Sequence, residues 1–209
     1  MINRGVLKVT YEIMVFITRM AYLNILWLLF TLVGGILAGL APATAAIFSV
    51  MHLWIQGKEP SIFKTFWLSY KQYFLKANLL LIPLFIISNL LYIDFKYLTV
   101  IDGTFYYVML FTFINASLLF FILSIYLFPT LILFNQPIIK TYKTALFIGL
   151  AKPLHTLALA IVLYSILRIV LLIPGLIPLF PVALFSYTSM AIALLAYKKV
   201  INHEQQSVN

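Results

Sequence analysis

The sequence predicts an all-α, polytopic membrane protein: six transmembrane helices with a cytoplasmic amphipathic helix at the membrane interface. Three observations predict it. The 209 residues are 64% hydrophobic and only 9% charged, with a mean hydropathy of +1.09, where an average soluble domain is roughly a quarter charged. The apolar residues gather into stretches near the ~20 residues that a helix needs to cross a bilayer core about 30 Å thick. Most cations fall in the connections that a six-pass path places on one side, as the bias of cytoplasmic loops toward Lys and Arg requires. Helices follow because lipid cannot satisfy the free backbone groups of an open strand edge.

The elements follow in order along one membrane domain, residues 1–209. Residues 1–19 carry a polar stripe of Arg4, Lys8, Glu12 and Arg19 and are expected to lie along the cytoplasmic surface. The first crossing, 20–40, is apolar apart from Asn24 and Thr31, and Gly39 and Pro42 are expected to end it. The second, 42–56, is short, with Pro42 suited to a first helical turn because its missing N–H costs nothing there. In 61–77, Ile62, Phe63, Phe66, Trp67, Tyr70, Tyr73, Phe74 and Ala77 share an arc of about 140°. Lys64, Lys71 and Lys76 lie opposite, and Ser61 is a candidate N-cap. Crossings at 78–92, 105–134, 154–173 and 181–197 complete the set, with Asp94 and Asp102 in a short exterior loop and 198–209 as a cytoplasmic tail.

Charge placement tests the doubtful second crossing. With six passes and both termini inside, twelve of the 14 Lys and Arg residues are cytoplasmic, Lys96 is exterior and Arg168 lies within the fifth helix. If residues 42–56 turned back without crossing, the same cations would divide nine against four. Six passes fit better. A secretory signal is the weaker reading of the first stretch, which is long for one.

Little catalytic chemistry is on offer. The absence of cysteine removes thiol nucleophiles, disulfides and Cys-based zinc sites. The five acidic residues, Glu12, Glu59, Asp94, Asp102 and Glu204, all fall outside the spans, and His52, His155 and His203 are far apart in sequence. No catalytic residue, metal ligand or cofactor is therefore assigned. Nucleic-acid binding is a poor account of the net charge of +9, because the cations are divided among many loops.

The candidate residues are lipid-facing or packing residues. Lys64, Trp67, Lys71 and Lys76 are the expected membrane-interface set, although the aromatic face beside them could equally pack on the protein's own helices. Gly35 and Gly39 form a small-xxx-small pair on the first helix, and Pro42 and Thr44 belong to a tightly packed hairpin, structural in the first reading and ligand-binding in the second. Asn24 and Arg168 are the candidate intramembrane polar residues. Arg168 is expected to snorkel outward or to pair with Asp94 or Asp102. A weak echo links Ile62, Lys64, Thr65 and Lys76 to Ile138, Lys140, Thr141 and Lys152 at an offset of 76 residues, which a duplicated unit of membrane helix, surface helix and membrane helix would produce.

Three stretches carry a family resemblance: Asn24-Ile-Leu-Trp-Leu-Leu-Phe-Thr-Leu32, Gly39-Leu-Ala-Pro-Ala-Thr-Ala-Ala46, and the basic aromatic run from Phe63 to Ala77. They resemble the YesL-type family of bacterial membrane proteins, a domain family of unknown function, over nearly the whole chain. Members usually carry glycine where Ala41 stands and an asparagine near Tyr73. The resemblance implies a plasma-membrane protein of Gram-positive-type bacteria, often encoded beside carbohydrate uptake transporters and glycoside hydrolases, and brings no reaction with it. The expected function is a non-enzymatic accessory or regulatory factor for carbohydrate uptake. Its expected partners are the lipid bilayer and subunits of a carbohydrate ABC transporter, with a homo-oligomer also open. The alternative is a small transporter or channel for a neutral solute such as a sugar.

Overall fold

The computed structural model describes the backbone from Arg4 to Gln206 and the side chains from Leu7 to Tyr197. The side chains of Arg4, Lys198, Lys199 and Glu204, and residues 207–209 of the tail, lie outside the described residues. Seven α-helices form among the described residues: α1 (Arg4–Val33), α2 (Leu37–Ile55), α3 (Ile62–Leu98), α4 (Thr104–Phe134), α5 (Ile138–Ala151), α6 (Pro153–Leu172) and α7 (Pro181–Gln206). A single 3-10 turn at Pro174–Leu176 precedes α7, and no strand occurs among the described residues. Five helices, α1 to α4 and α6, are long and apolar enough to cross a membrane; α7 contributes a shorter apolar stretch, Pro181–Tyr197. Large apolar side chains such as Phe85, Val100, Phe105, Tyr107 and Phe111 face outward. In a polytopic helical protein that surface belongs to lipid.

Several boundaries differ from the expected ones. The N-terminal stripe and the first crossing are one continuous helix, α1, and the amphipathic stretch runs without a break into the third crossing as α3, 37 residues and about 55 Å long. Nothing between Lys76 and Leu79 stops a helix, so a change in polarity alone does not interrupt it. Asp94 and Lys96 therefore lie inside α3, not in a loop. The first hairpin turns at Gly34 to Ile36, ahead of the expected break at Gly39 and Pro42. The Ile36 N–H reaches the Thr31 carbonyl at 2.8 Å and the Gly35 N–H reaches Leu32 at 3.0 Å. This is a Schellman closure, and Gly35 supplies its left-handed residue at φ 76.

Gly35 consequently belongs to the turn and does not pair with Gly39 on a helix face. Gly39 lies on α2, where a Cβ would come within 2.4 Å of the Thr31 carbonyl oxygen, so its bareness lets α2 close against the last turn of α1. Pro42 lies five residues into α2 rather than in its first turn. The short α5, absent from the expected elements, occupies the second copy of the echo. Shifted by 76 residues, α3 would cover 138–174, and α5 with α6 covers Ile138–Leu172. Pro153 divides the second copy, holding Lys152 at φ −125, outside the helical region.

Proline carries the main structural problem. A proline inside a helix, or directly after a helix or turn that would otherwise continue, offers no N–H to the carbonyl four residues earlier, and apolar surroundings make an unpaired carbonyl expensive. At four prolines a side chain supplies the missing donor. Ala38, four residues before Pro42, accepts from Asn78 Nδ2 of α3 at 2.9 Å. Ile125, before Pro129, accepts from Ser189 Oγ of α7 at 3.4 Å. Gly149, before Pro153, accepts from Thr156 Oγ1 of α6 at 2.8 Å. Ile177, before Pro181, accepts from Asn24 Nδ2 of α1 at 3.3 Å.

Two buried clusters fill the interior. One joins α1, α2, the start of α3 and α7 around Leu23, Ile47, Phe48, Phe66 and Met190; the other joins α2 to α7 through Leu80, Ile125, Tyr126, Leu131 and Tyr197. Phe66, Tyr70, Tyr73 and Ala77 of the amphipathic arc are buried in them, whereas Phe63 and Trp67 stay exposed. Phe30 of α1 packs against Phe63, Phe66, Trp67 and Tyr70, with ring centroids no more than 6.3 Å apart. The arc thus packs mainly on the protein itself. From α5 the Tyr142 hydroxyl donates to the Leu80 carbonyl of α3. Burial pushes this phenol up to about 12, so it remains a donor through the physiological range.

The proline pairing predicts a non-additive double-mutant cycle. Asn78→Leu should destabilise the protein by about 1–2 kcal/mol, measured by thermal unfolding in detergent. In a Pro42→Ala background the restored N–H reaches Ala38, and the same change should cost about 1 kcal/mol less. Strictly additive effects would break the pairing.

Candidate functional site

An open cleft of about 480 Å³ lies where three distant segments meet: Tyr11, Glu12, Val15, Phe16 and Arg19 of α1, Trp54 with the following turn, and Tyr187 of α7. The α1 residues share a face because their spacing follows the helical repeat. The turn after α2 is a second Schellman closure. Lys58 N–H reaches Leu53 at 3.0 Å and Gly57 N–H reaches Trp54 at 2.9 Å, with Gly57 at φ 75. That geometry brings Lys58 and Glu59 to the rim.

Arg19 is the hub. Its guanidinium meets Glu59 Oε1 at 3.2 Å and lies 5.7 Å from the Trp54 ring centroid, so one cation is held by a carboxylate and an aromatic face. Phe16 meets Tyr187 edge to face at 5.5 Å, and Glu12 pairs with Lys8 at 3.9 Å. Two of the chain's five carboxylates thus line one cleft. The walls offer charged donors, charged acceptors and aromatic faces to a ligand or a partner side chain. Sequence reasoning placed Glu12 and Arg19 on one polar stripe and Glu59 in the turn after the second crossing, without bringing them together. The local signals were that stripe and the Gln-Gly-Lys-Glu-Pro turn; contact among the three segments is created by tertiary packing.

α7 reaches the cleft through Asn24. This fully buried residue donates from Nδ2 to the Ile177 and Pro178 carbonyls, at 3.3 and 2.9 Å, and accepts at Oδ1 from the Val182 and Ala183 N–H groups, both at 3.1 Å. An amide carries two donors and two acceptor lone pairs, and all four are engaged. Asn24 therefore caps α7 from another helix and ties the preceding loop to it. Five residues further along, Tyr187 reaches Phe16.

The other residues singled out from sequence fall elsewhere. Thr44 accepts from Trp27 Nε1 at 3.0 Å and donates to Leu40 at 2.8 Å, joining α1 to α2. Lys64 is exposed, and Lys71 lies 4.8 Å over the Trp67 ring. Lys76, expected at the interface with these two, instead donates to the carbonyl and side-chain oxygens of Asn135, at 2.9 and 2.7 Å, where Asn135 ends α4 in a left-handed conformation. Lys76 thereby serves as a bridge between α3 and α4. Arg168 is exposed on α6, and the ion pairs among the described residues, Lys8–Glu12 and Arg19–Glu59, do not include it or either expected partner, Asp94 or Asp102. No group of three metal-ligating side chains occurs among the described residues.

Fold and site together define a polytopic α-helical membrane protein whose polar groups hold helices together. Residues 20–95 match the family model described as "Protein of unknown function, DUF624". Three Bacillus subtilis (strain 168) proteins are similar over most of their length: "Uncharacterized protein YteU" at 36% identity over 90% of this chain and 84% of its own; "Uncharacterized protein YesV" at 33% over 91% and 92%; and "Uncharacterized protein YesL" at 27% over 91% and 90%. The chain belongs to this DUF624, YesL-type family. No solved structure matches it.

The cleft's geometry separates two kinds of substitution. Arg19→Gln removes a partly exposed pair and should shift stability by less than about 1 kcal/mol. Gly57→Ala forces a side chain into the left-handed turn and should cost about 1 kcal/mol or more. Thermal unfolding in detergent ranks the two, and the reverse order would refute this view of the turn.

Proposed function

We propose that the chain is a non-enzymatic accessory or regulatory factor that works beside a carbohydrate uptake system. It crosses the plasma membrane six times with both termini in the cytoplasm, and the Arg19–Glu59–Trp54 cleft is its docking point for a partner subunit. The observation that carries the reading is the assignment of the polar side chains within the apolar helices. Asn24, Asn78, Thr156 and Ser189 each hold a carbonyl that proline has freed, and Thr130 joins Tyr197. A conduit needs polar groups free to meet a solute; these already have partners, and among the described residues only Thr31 Oγ1 and Ser186 Oγ are buried within the apolar helices without one. The orientation rests on the cations of the α2–α3 turn, the start of α3 and α5, which one cytoplasmic side would collect. The association with carbohydrate uptake comes from the family resemblance.

Affinity purification of the tagged full chain in native-membrane nanodiscs tests this. Subunits of a carbohydrate ABC transporter should be recovered with it and be depleted several-fold by Arg19→Glu, while the pure protein in liposomes takes up no sugar. Sugar uptake by the pure protein, with no transporter subunit recovered, would overturn the proposal in favour of a small transporter.

A further inference from the structure

A second cavity, about 530 Å³, runs along α5 beside the end of α4. Phe134, Phe147 and Ile148 give it apolar walls; Gln136, Lys140, Lys143 and Thr144 line its polar edge. Three features set it apart from an ordinary surface groove. Lys140 and Lys143 are three residues apart on one helix, both exposed, and the ion pairs among the described residues leave both without a carboxylate. Gln136 is only 9% exposed, and its Oε1 has no hydrogen-bond partner. Thr144 Oγ1 accepts from Gln136 Nε2 at a long 3.5 Å, leaving its own proton available. Positive charge, a free hydroxyl donor and an orphaned amide oxygen therefore border an apolar trough.

We propose that this groove is a binding site for one anionic phospholipid. The phosphodiester lies against Lys140, Lys143 and the Thr144 hydroxyl, a headgroup hydroxyl donates to Gln136 Oε1, which the phosphate as an acceptor could not satisfy, and an acyl chain covers Phe134, Phe147 and Ile148. A free phosphate would satisfy the cations but leave the apolar walls open to water; a zwitterionic lipid would cover the walls but bring no net charge. The location fits, because α5 leads directly into α6, a candidate membrane span, and exposes Ile139, Phe147 and Leu150 beside the groove. Charged side chains next to an anionic leaflet each strengthen binding appreciably. The assignment rests on the membrane class of the protein and on the cytoplasmic placement of α5 proposed above, and it stands or falls separately from the carbohydrate-uptake reading.

Titration of the full chain in phosphatidylcholine nanodiscs with dioleoylphosphatidylglycerol, read by thermal midpoint and by native mass spectrometry, tests the site. One phosphatidylglycerol should be retained and the midpoint should rise. Lys140→Gln with Lys143→Gln should weaken the apparent affinity on the order of tenfold, and Lys140→Arg with Lys143→Arg should keep it. Lys96→Gln with Arg168→Gln, which removes the same charge from exposed positions of α3 and α6, should leave it near the native value. An equal loss in that control pair, equal stabilisation by added phosphatidylcholine, or equal stabilisation by inorganic phosphate would each overturn the proposal.

Discussion

A backbone carbonyl facing an apolar interior must find a donor, and proline removes the nearest one. This constraint organises much of the chain. Of the nine prolines in 209 residues, Pro42, Pro83 and Pro129 lie inside helices and Pro153 and Pro181 open them, and each carbonyl left unpaired in a dry interior costs on the order of 1–3 kcal/mol. At Pro42, Pro129, Pro153 and Pro181 the donor is Asn78, Ser189, Thr156 or Asn24. All four donors lie outside the element bearing the freed carbonyl: Asn78, Ser189 and Asn24 come from helices distant in sequence, and Thr156 reaches back from α6 across the break to α5. A local defect is thus converted into a long-range tie, and the helices are held in register by hydrogen bonds where apolar packing alone has little directional preference.

Asn24 is the fullest case. Its amide stands between the carbonyls of the loop before α7 and the first N–H groups of α7. Because α7 enters at that point, Tyr187 arrives beside Phe16 and closes the wall of the cleft. The far end of α7 is fixed by Tyr197 on Thr130, in the buried cluster that also contains Tyr126 and Leu159. Tyr126 in turn meets Thr156 at 3.2 Å, so the donors at Pro153 and the α4–α7 contact share one network. The same side chains that relieve the prolines therefore position the surface to which function is assigned.

The sequence revealed the helical membrane class because hydropathy is a sum over many residues and tolerates local error. It revealed less about breaks. Gly39 and Pro42 outweighed Gly34 and Gly35 as punctuation, yet Asn78 lets α2 tolerate its proline, and Asn78 is distant in sequence. The boundary at Ala77 was misplaced for a simpler reason: a helix passes from an amphipathic to a wholly apolar stretch without any backbone signal. Asn24 was recognisable as an unusual residue within a span. Its role was not, because its partners are backbone atoms 153 to 159 residues away. The cleft was illegible for the same reason, since Glu12, Trp54 and Tyr187 share no local pattern.

The most direct measurement is amide hydrogen exchange at the start of α7 in the native chain and in Asn24→Leu, a change that keeps apolar volume while deleting all four hydrogen bonds. The account predicts much faster exchange at Val182 and Ala183, with a loss of several kcal/mol of stability, on the order of 1–3 for each group left unpaired. Unchanged protection at those two amides, in a variant that unfolds at the native temperature, would contradict it.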